Sequence, residues 1–269
     1  MKAILETQEL LLIEPRRWFA KLSEVQADIF SDLFEDDEED EGVEVDGDGI
    51  ATIQIHGPIV AGLPAFASKL GFARPESIRT QLEDAATNPA VKGILLDFNS
   101  PGGTVTGTPE LASLIEEVAA TKPTISFTSG LCCSAAYWLA APTRAILATP
   151  SAEVGSIGVY VAHQDISAMA KAMGIIVNVF RSGKFKGAGV PGTSLSEAQA
   201  AEIQAKVDSL AEVFFEHVKK HRPGMDDETM QGQTFMGYQS AGVKLVDEMV
   251  RDSNEAKKIL LALLTDKAA

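Results

Sequence analysis

The chain has two cysteines in 269 residues, and they are neighbours, Cys132 and Cys133. Adjacent cysteines rarely bridge each other, so a disulfide-stapled scaffold is excluded and a reducing compartment, by default the cytoplasm, is expected. Positive charge is also scarce: 23 Lys and Arg against 38 Asp and Glu give a formal net charge of −15. A general nucleic-acid binder draws its affinity from a basic surface, so that class is set aside. No apolar run approaches the roughly 18 to 20 residues of a membrane span. Residues 1–17 alternate apolar and charged positions and end in Arg16-Arg17-Trp18, without the basic start, apolar core and small-residue cleavage site of a signal peptide. The four histidines, His56, His163, His217 and His221, form no cluster with metal-ligand spacing, and no cofactor fingerprint is present, so neither metal nor cofactor is expected.

What is present is enough for one large core with an appendage: 45% of residues are hydrophobic, ordinary for a globular protein. Three regions follow from the pattern. Residues 1–34 carry Trp18, Leu22, Val25, Ile29 and Leu33 at helical spacing and are expected to form an N-terminal helical element. Residues 35–49 contain the run Glu35 to Glu41, which repels itself and reads as a solvated linker. Residues 50–269 alternate strand and helix segments. Strands are expected at 50–55, 91–98, 124–128, 145–148, 157–161 and 176–181, and helices at 75–86, 109–120 and 166–173. A capping box at Ser194 and Glu197 is expected to open a long helix with a stripe of Ile203, Val207, Leu210, Phe214 and Val218. The alternation predicts an α/β fold with a mainly parallel sheet.

Three segments carry chemistry. Ser134 follows Gly130-Leu131-Cys132-Cys133 and precedes Ala135-Ala136-Tyr137-Trp138, a strand-to-helix junction. A serine there serves either as a helix N-cap or as a nucleophile, with the Ala135 N–H aimed at a developing oxyanion. The turn Pro101-Gly102-Gly103 follows a buried strand; glycines let backbone N–H groups approach a ligand closely, and Gly103, before Gly102, is the expected second oxyanion donor. A phosphate loop is disfavoured, because no Gly-Lys-Ser/Thr ending follows. For the base, two residues stand: His163, after a strand at the sheet's end, and Lys186, with Phe180, Phe185 and Val190 as an apolar wall and Lys184 as a repelling neighbour. His217 and His221 are expected to be solvated on a polar helix face, and Cys133 to be a packed small hydrophobe.

In order and spacing, these segments resemble the signal peptide peptidase A family of Ser/Lys proteases, especially the short single-unit members of phages and prophages. Asn99-Ser100-Pro101-Gly102-Gly103 resembles the family's oxyanion turn, and Ser134 its nucleophile, with Ala135-Ala136 where members usually carry two glycines. Pro150 and Gly155-Ser156-Ile157-Gly158-Val159 resemble the segment after the nucleophile helix. Ser182-Gly183-Lys184-Phe185-Lys186 resembles the base motif, and 234–248 the closing segment. The resemblance implies a crotonase-like and Clp-protease-like superhelical fold and homo-oligomers. It makes Lys186 the base; separately, Ser182 is expected to orient the lysine through a hydrogen bond. Clp protease itself fits less well, because its histidine would fall near Val159. The implied activity is ATP-independent serine endopeptidase action on peptide or protein substrates, among them phage capsid, scaffold or portal proteins. The competing readings are an acyl-coenzyme A hydratase or hydrolase on the same fold, and a non-catalytic capsid-associated scaffold.

Overall fold

The computed structural model describes the backbone of residues 11–13, and residues 42–266. Apart from 11–13, the expected N-terminal helical element and the acidic run lie outside the described residues. Leu11–Ile13 is a strand, β1, and not helix.

An eight-stranded sheet forms the frame, with its main path β10-β7-β6-β4-β3-β2 and with β8 and β9 extending from β6. Its members are β2 (Glu44–Val45), β3 (Ile50–His56), β4 (Gly93–Ser100), β6 (Thr124–Cys133), β7 (Ile146–Ala148), β8 (Glu153–Gly155), β9 (Thr234–Met236) and β10 (Glu248–Met249). The central pairs β3–β4, β4–β6 and β6–β7 are parallel, and only β2–β3 and β8–β9 run antiparallel. The fold is therefore α/β with a mainly parallel sheet, as the alternating pattern predicts. Glu44 already lies in the sheet, so ordered structure begins ahead of Ile50.

Parallel strands of this kind need cover on both faces, and the side-chain alternation of period two supplies it. Ile94, Leu96 and Phe98 of β4, with Ala51, Ile53 and Ile55 of β3, face one core. That core is closed by α1 (Pro75–Thr87), α2 (Thr108–Thr121), α3 (Ala135–Ala140) and α5 (Glu197–His221). Leu95, Ile125, Phe127 and Leu147 face the other side, where Ala256 and Leu260 of α7 (Ser253–Asp266) cover them. Two shorter helices are α4 (Ser167–Ala172) and α6 (Gly237–Ser240).

Four expectations are corrected. The strand expected at 157–161 lies earlier, at Glu153–Gly155, because the ladder partners β6 and β9 reach only those residues. The segment expected as a strand at 176–181 is not one. It has β-forming residues but lies on the surface, with Ile176 81% and Phe180 95% exposed, and no named strand pairs with it. The capping box of α5 is Ser196 with Gln199, two residues beyond Ser194 and Glu197: Gln199 N–H donates to Ser196 Oγ, and Ser196 N–H to Gln199 Oε1. The stripe on α5 is deep only at its C-terminal end, where Phe214 and Val218 are fully buried.

Candidate active site

β6 runs straight into Ser134, and α3 begins at the next residue. Ser134 has φ 55° and ψ −119°, a conformation a residue with a Cβ adopts only when its surroundings force it, at about 1–3 kcal/mol. The forcing contacts are on the backbone. Ser134 N–H donates to the Gly155 carbonyl at 2.7 Å, and Ser134 C=O accepts from Trp138 N–H at 3.0 Å. The neighbouring Ser156 also has positive φ, 53°, and its N–H donates to Gln233 C=O at 2.7 Å. Gly155 sits at φ 120°, and a Cβ there would lie 2.8 Å from the Gln233 oxygen, so only glycine permits this junction.

Ser134 occupies the N-cap position of α3, yet its hydroxyl makes no capping bond. The reading of this serine as an ordinary N-cap therefore fails on geometry. The residue is 1% exposed, and its Ala135 and Ala136 neighbours are wholly buried. Behind them, Trp138 stacks on Phe214, and the Tyr137 hydroxyl donates to Leu245 C=O at 3.0 Å. Burial pushes the Tyr137 phenol up, which leaves it a fixed donor and no acid.

The glycine turn comes to the same place through the register of β4. An irregularity between Phe98 and Ser100 sets Ser100 opposite Cys132, so Gly102 and Ser134 each lie two residues beyond a paired position. Gly102 has φ 97°, and its N–H donates to Ser100 Oγ at 3.2 Å. Gly102–Thr104 then forms β5. Ile59 N–H donates to Gly102 C=O, and Thr104 N–H to Ile59 C=O, both at 2.9 Å. A Cβ on Gly103 would sit 1.7 Å from the Ile59 oxygen, a contact no side chain survives. Because main-chain groups alternate along a strand, the N–H and C=O of Gly103 face away from Ile59.

The proposed base stands apart from this geometry. Lys186 and Ser182 are exposed, in a turn where Lys186 N–H donates to Gly183 C=O at 3.0 Å. Among the described residues, no hydrogen bond joins either side chain to Ser134. The expected apolar wall is not closed around Lys186, since Phe180 is almost fully exposed, and Lys184 Nζ lies over the Phe185 ring at 4.6 Å. His163 does not follow a strand; it is half-buried with Nε2 unpartnered.

His217 and His221 are corrected most clearly. His217 is hydrogen-bonded through Nε2 to Trp138 C=O at 3.1 Å, so it braces α3 from behind. Burial, then the neighbouring His221, holds its pKa down to about 4, so this imidazole is neutral at physiological pH. His221 lies 4.7 Å from His217 between ring centroids and 3.4 Å from Glu116, and burial lowers its pKa too. The signal for both was available in the sequence: His217 and His221 fall three residues after Phe214 and Val218, on the edge of the buried stripe. Cys132 and Cys133 are buried; desolvation holds the Cys132 thiol well above its ordinary value, and the Cys133 thiol donates to Glu153 C=O at 3.5 Å. Among the described residues no group of three or more His, Cys, Asp or Glu is placed to hold a metal ion, and no helix is long and apolar enough to cross a membrane.

Comparison with known proteins assigns the chain to a family and leaves the roles of individual residues aside. The chain is 29% identical over 226 residues to capsid assembly protease C of Escherichia phage lambda, covering 80% of this chain and 51% of that protein. It is 27% identical over 218 residues to head-tail preconnector protein GP5 of Enterobacteria phage P21, covering 80% and 43%. Protease 4 of Salmonella typhi is 27% identical over 211 residues, covering 76% and 33%. The chain thus spans about half or less of the length of these relatives. Among solved structures, an enoyl-CoA hydratase/isomerase family member aligns over 83% of this chain and 76% of its own, with 14% identity and a TM-score of 0.47, too distant to bear on chemistry. The model of peptidase family S49 matches residues 116–263, a stretch that runs from α2 through the serine junction to α7. More than half of the chain lies within that match, and the chain belongs to peptidase family S49.

Proposed function

We propose that the protein is an ATP-independent serine endopeptidase in which Ser134 is the nucleophile and Lys186 the general base. The observation that carries this reading is the strained, uncapped Ser134 at the end of β6. A junction of this kind presents a hydroxyl that the fold itself does not use, and its membership of a peptidase family supplies the reaction class. In the reaction, the Lys186 amine, as the free base, takes the Ser134 proton while Oγ adds to a peptide carbonyl. The N–H groups of Gly103 and Ala135, with Gly102 beside them, hold the resulting oxyanion. Collapse expels the amine with that proton and leaves an acyl-enzyme, which a water activated by Lys186 then hydrolyses. Ser182 orients the lysine.

The buried serine and the exposed lysine meet by assembly in this reading. Ile176 and Phe180 are exposed on the segment that leads to Lys186, and a second copy of the chain covers them in a homo-oligomer. Two relatives are named for capsid assembly and for the head-tail connector. On that basis the substrates are capsid, scaffold or portal proteins of a phage head.

The test is cleavage of an unfolded protein such as casein by wild type, Ser134→Ala and Lys186→Ala, read by gel and mass spectrometry. Activity lost in both variants is expected. Activity surviving in Lys186→Ala would transfer the base to another residue, with His163 next in line.

A further inference from the structure

The outer edge of β5 is occupied by the chain itself. β1, Leu11–Ile13, runs antiparallel to it, with Leu11 opposite Thr104, Leu12 opposite Gly103 and Ile13 opposite Gly102. The inner edge of β5 is spent on Ile59, which takes Thr104 N–H and gives its own N–H to Gly102 C=O. Alternation leaves the N–H and C=O of Gly103 facing β1, so Leu12 is the residue that exchanges both main-chain hydrogen bonds with Gly103.

We propose that this edge of β5 is the slot for an extended peptide, and that Leu11–Ile13 fills it as a tethered competitor that holds substrate off. The proposal rests on the protease reading above. Three observations converge on it. The slot is formed by the same Gly102–Thr104 strand that packs against α3, the helix that begins immediately after Ser134. What Gly103 offers on this edge is its own N–H and C=O, so recognition here is by backbone, as in strand addition. The occupant pairs with that glycine through an apolar tripeptide, Leu11-Leu12-Ile13, with Glu9 and Glu14 close on either side. A segment on the same chain competes intramolecularly, with an advantage in effective concentration over any separate peptide, and needs little affinity of its own. The ligand class is therefore an extended, apolar peptide strand, and relief of inhibition requires that β1 leave.

The test uses the full chain with one residue changed. Leu12→Pro removes the N–H that donates to Gly103 and leaves Ser134, Lys186 and the glycine turn intact. Hydrogen exchange read by mass spectrometry across residues 100–107 reports the pairing itself, whether or not the enzyme cuts. Casein cleavage reports the inhibition. A synthetic peptide of residues 6–18, added in trans, reports whether the slot accepts the segment as a competitive ligand. The expected result is faster exchange at Gly103 in the variant and about tenfold higher kcat/KM, the scale of losing one or two net hydrogen bonds. The added peptide restores inhibition by raising KM and leaving kcat unchanged. Wild-type cleavage that Leu12→Pro does not accelerate would overturn the inhibition while the protease reading stands. Unchanged exchange would overturn the pairing. Faster exchange with no cleavage by any form would overturn the protease reading, and the inhibition with it.

Discussion

The indole of Trp138 lies flat against the ring of Phe214, with centroids 4.4 Å apart and planes 7° from parallel. Trp138 is one helical turn beyond Ser134, and its N–H is the group that fixes the Ser134 carbonyl. The stack is thus the anchor by which α5 sets the position of the candidate nucleophile. Trp138→Ala is expected to destabilise the fold by about 3–5 kcal/mol, the range for deleting a buried large aromatic side chain. Chemical denaturation checks the figure. Loss of cleavage in a variant still folded at low temperature would show that the stack also positions the serine.

Ser134 carries a backbone cost that a glycine would not. Ser134→Gly should abolish cleavage and raise stability by about 1 kcal/mol, whereas Ser134→Ala should abolish cleavage with no such gain. Thermal unfolding of the two variants side by side separates strain from chemistry. Equal melting temperatures would show that no strain is stored at this residue.

Assembly is tested at the exposed apolar segment. Phe180→Asp and Ile176→Asp should dissociate the oligomer, seen by light scattering, and reduce cleavage at least tenfold, with the fold unchanged by circular dichroism. A dispersed but fully active variant would rule out delivery of Lys186 through this interface.

His217 gives the fold a pH dependence with a definite sign. Its pKa in the folded chain is about 4, below the ordinary value of 6.5, because burial disfavours the imidazolium. The unfolded chain therefore binds the extra proton first, and stability contributed by His217 is complete above pH 6.5 and falls as pH drops towards 4. His221 shifts in the same direction. His217→Phe should flatten the fall in unfolding midpoint between pH 6.5 and 4.5, measured in urea at each pH.

The sheet was legible because its strands are buried on both faces, and that constraint writes an apolar run such as Ile94-Leu95-Leu96 into the chain. The glycine turn and Ser134 were legible as residues, but the serine's conformation was not. An N-cap and a strained junction share the same local sequence, and what separates them is the Gly155 carbonyl, which arrives with β8. The segment at 176–181 misled for the opposite reason: Ile175-Ile176-Val177 has strand propensity, and propensity without a neighbouring strand builds no sheet. His217 and His221 misled because histidine is polar, although both stand at the margin of a buried stripe. The antiparallel pairing of Leu11–Ile13 with Gly102–Thr104 had no local signal, since long-range register leaves none.

The clamp on Ser134 also has a temporal meaning. Its N–H is held by Gly155, and the next residue, Ser156, is held in turn by Gln233, from a part of the chain made much later. As the polypeptide leaves the ribosome, the serine emerges long before the partner that completes its setting. A half-made chain therefore carries Ser134 without the contacts that hold its conformation, and these are complete only once Gln233 has been added.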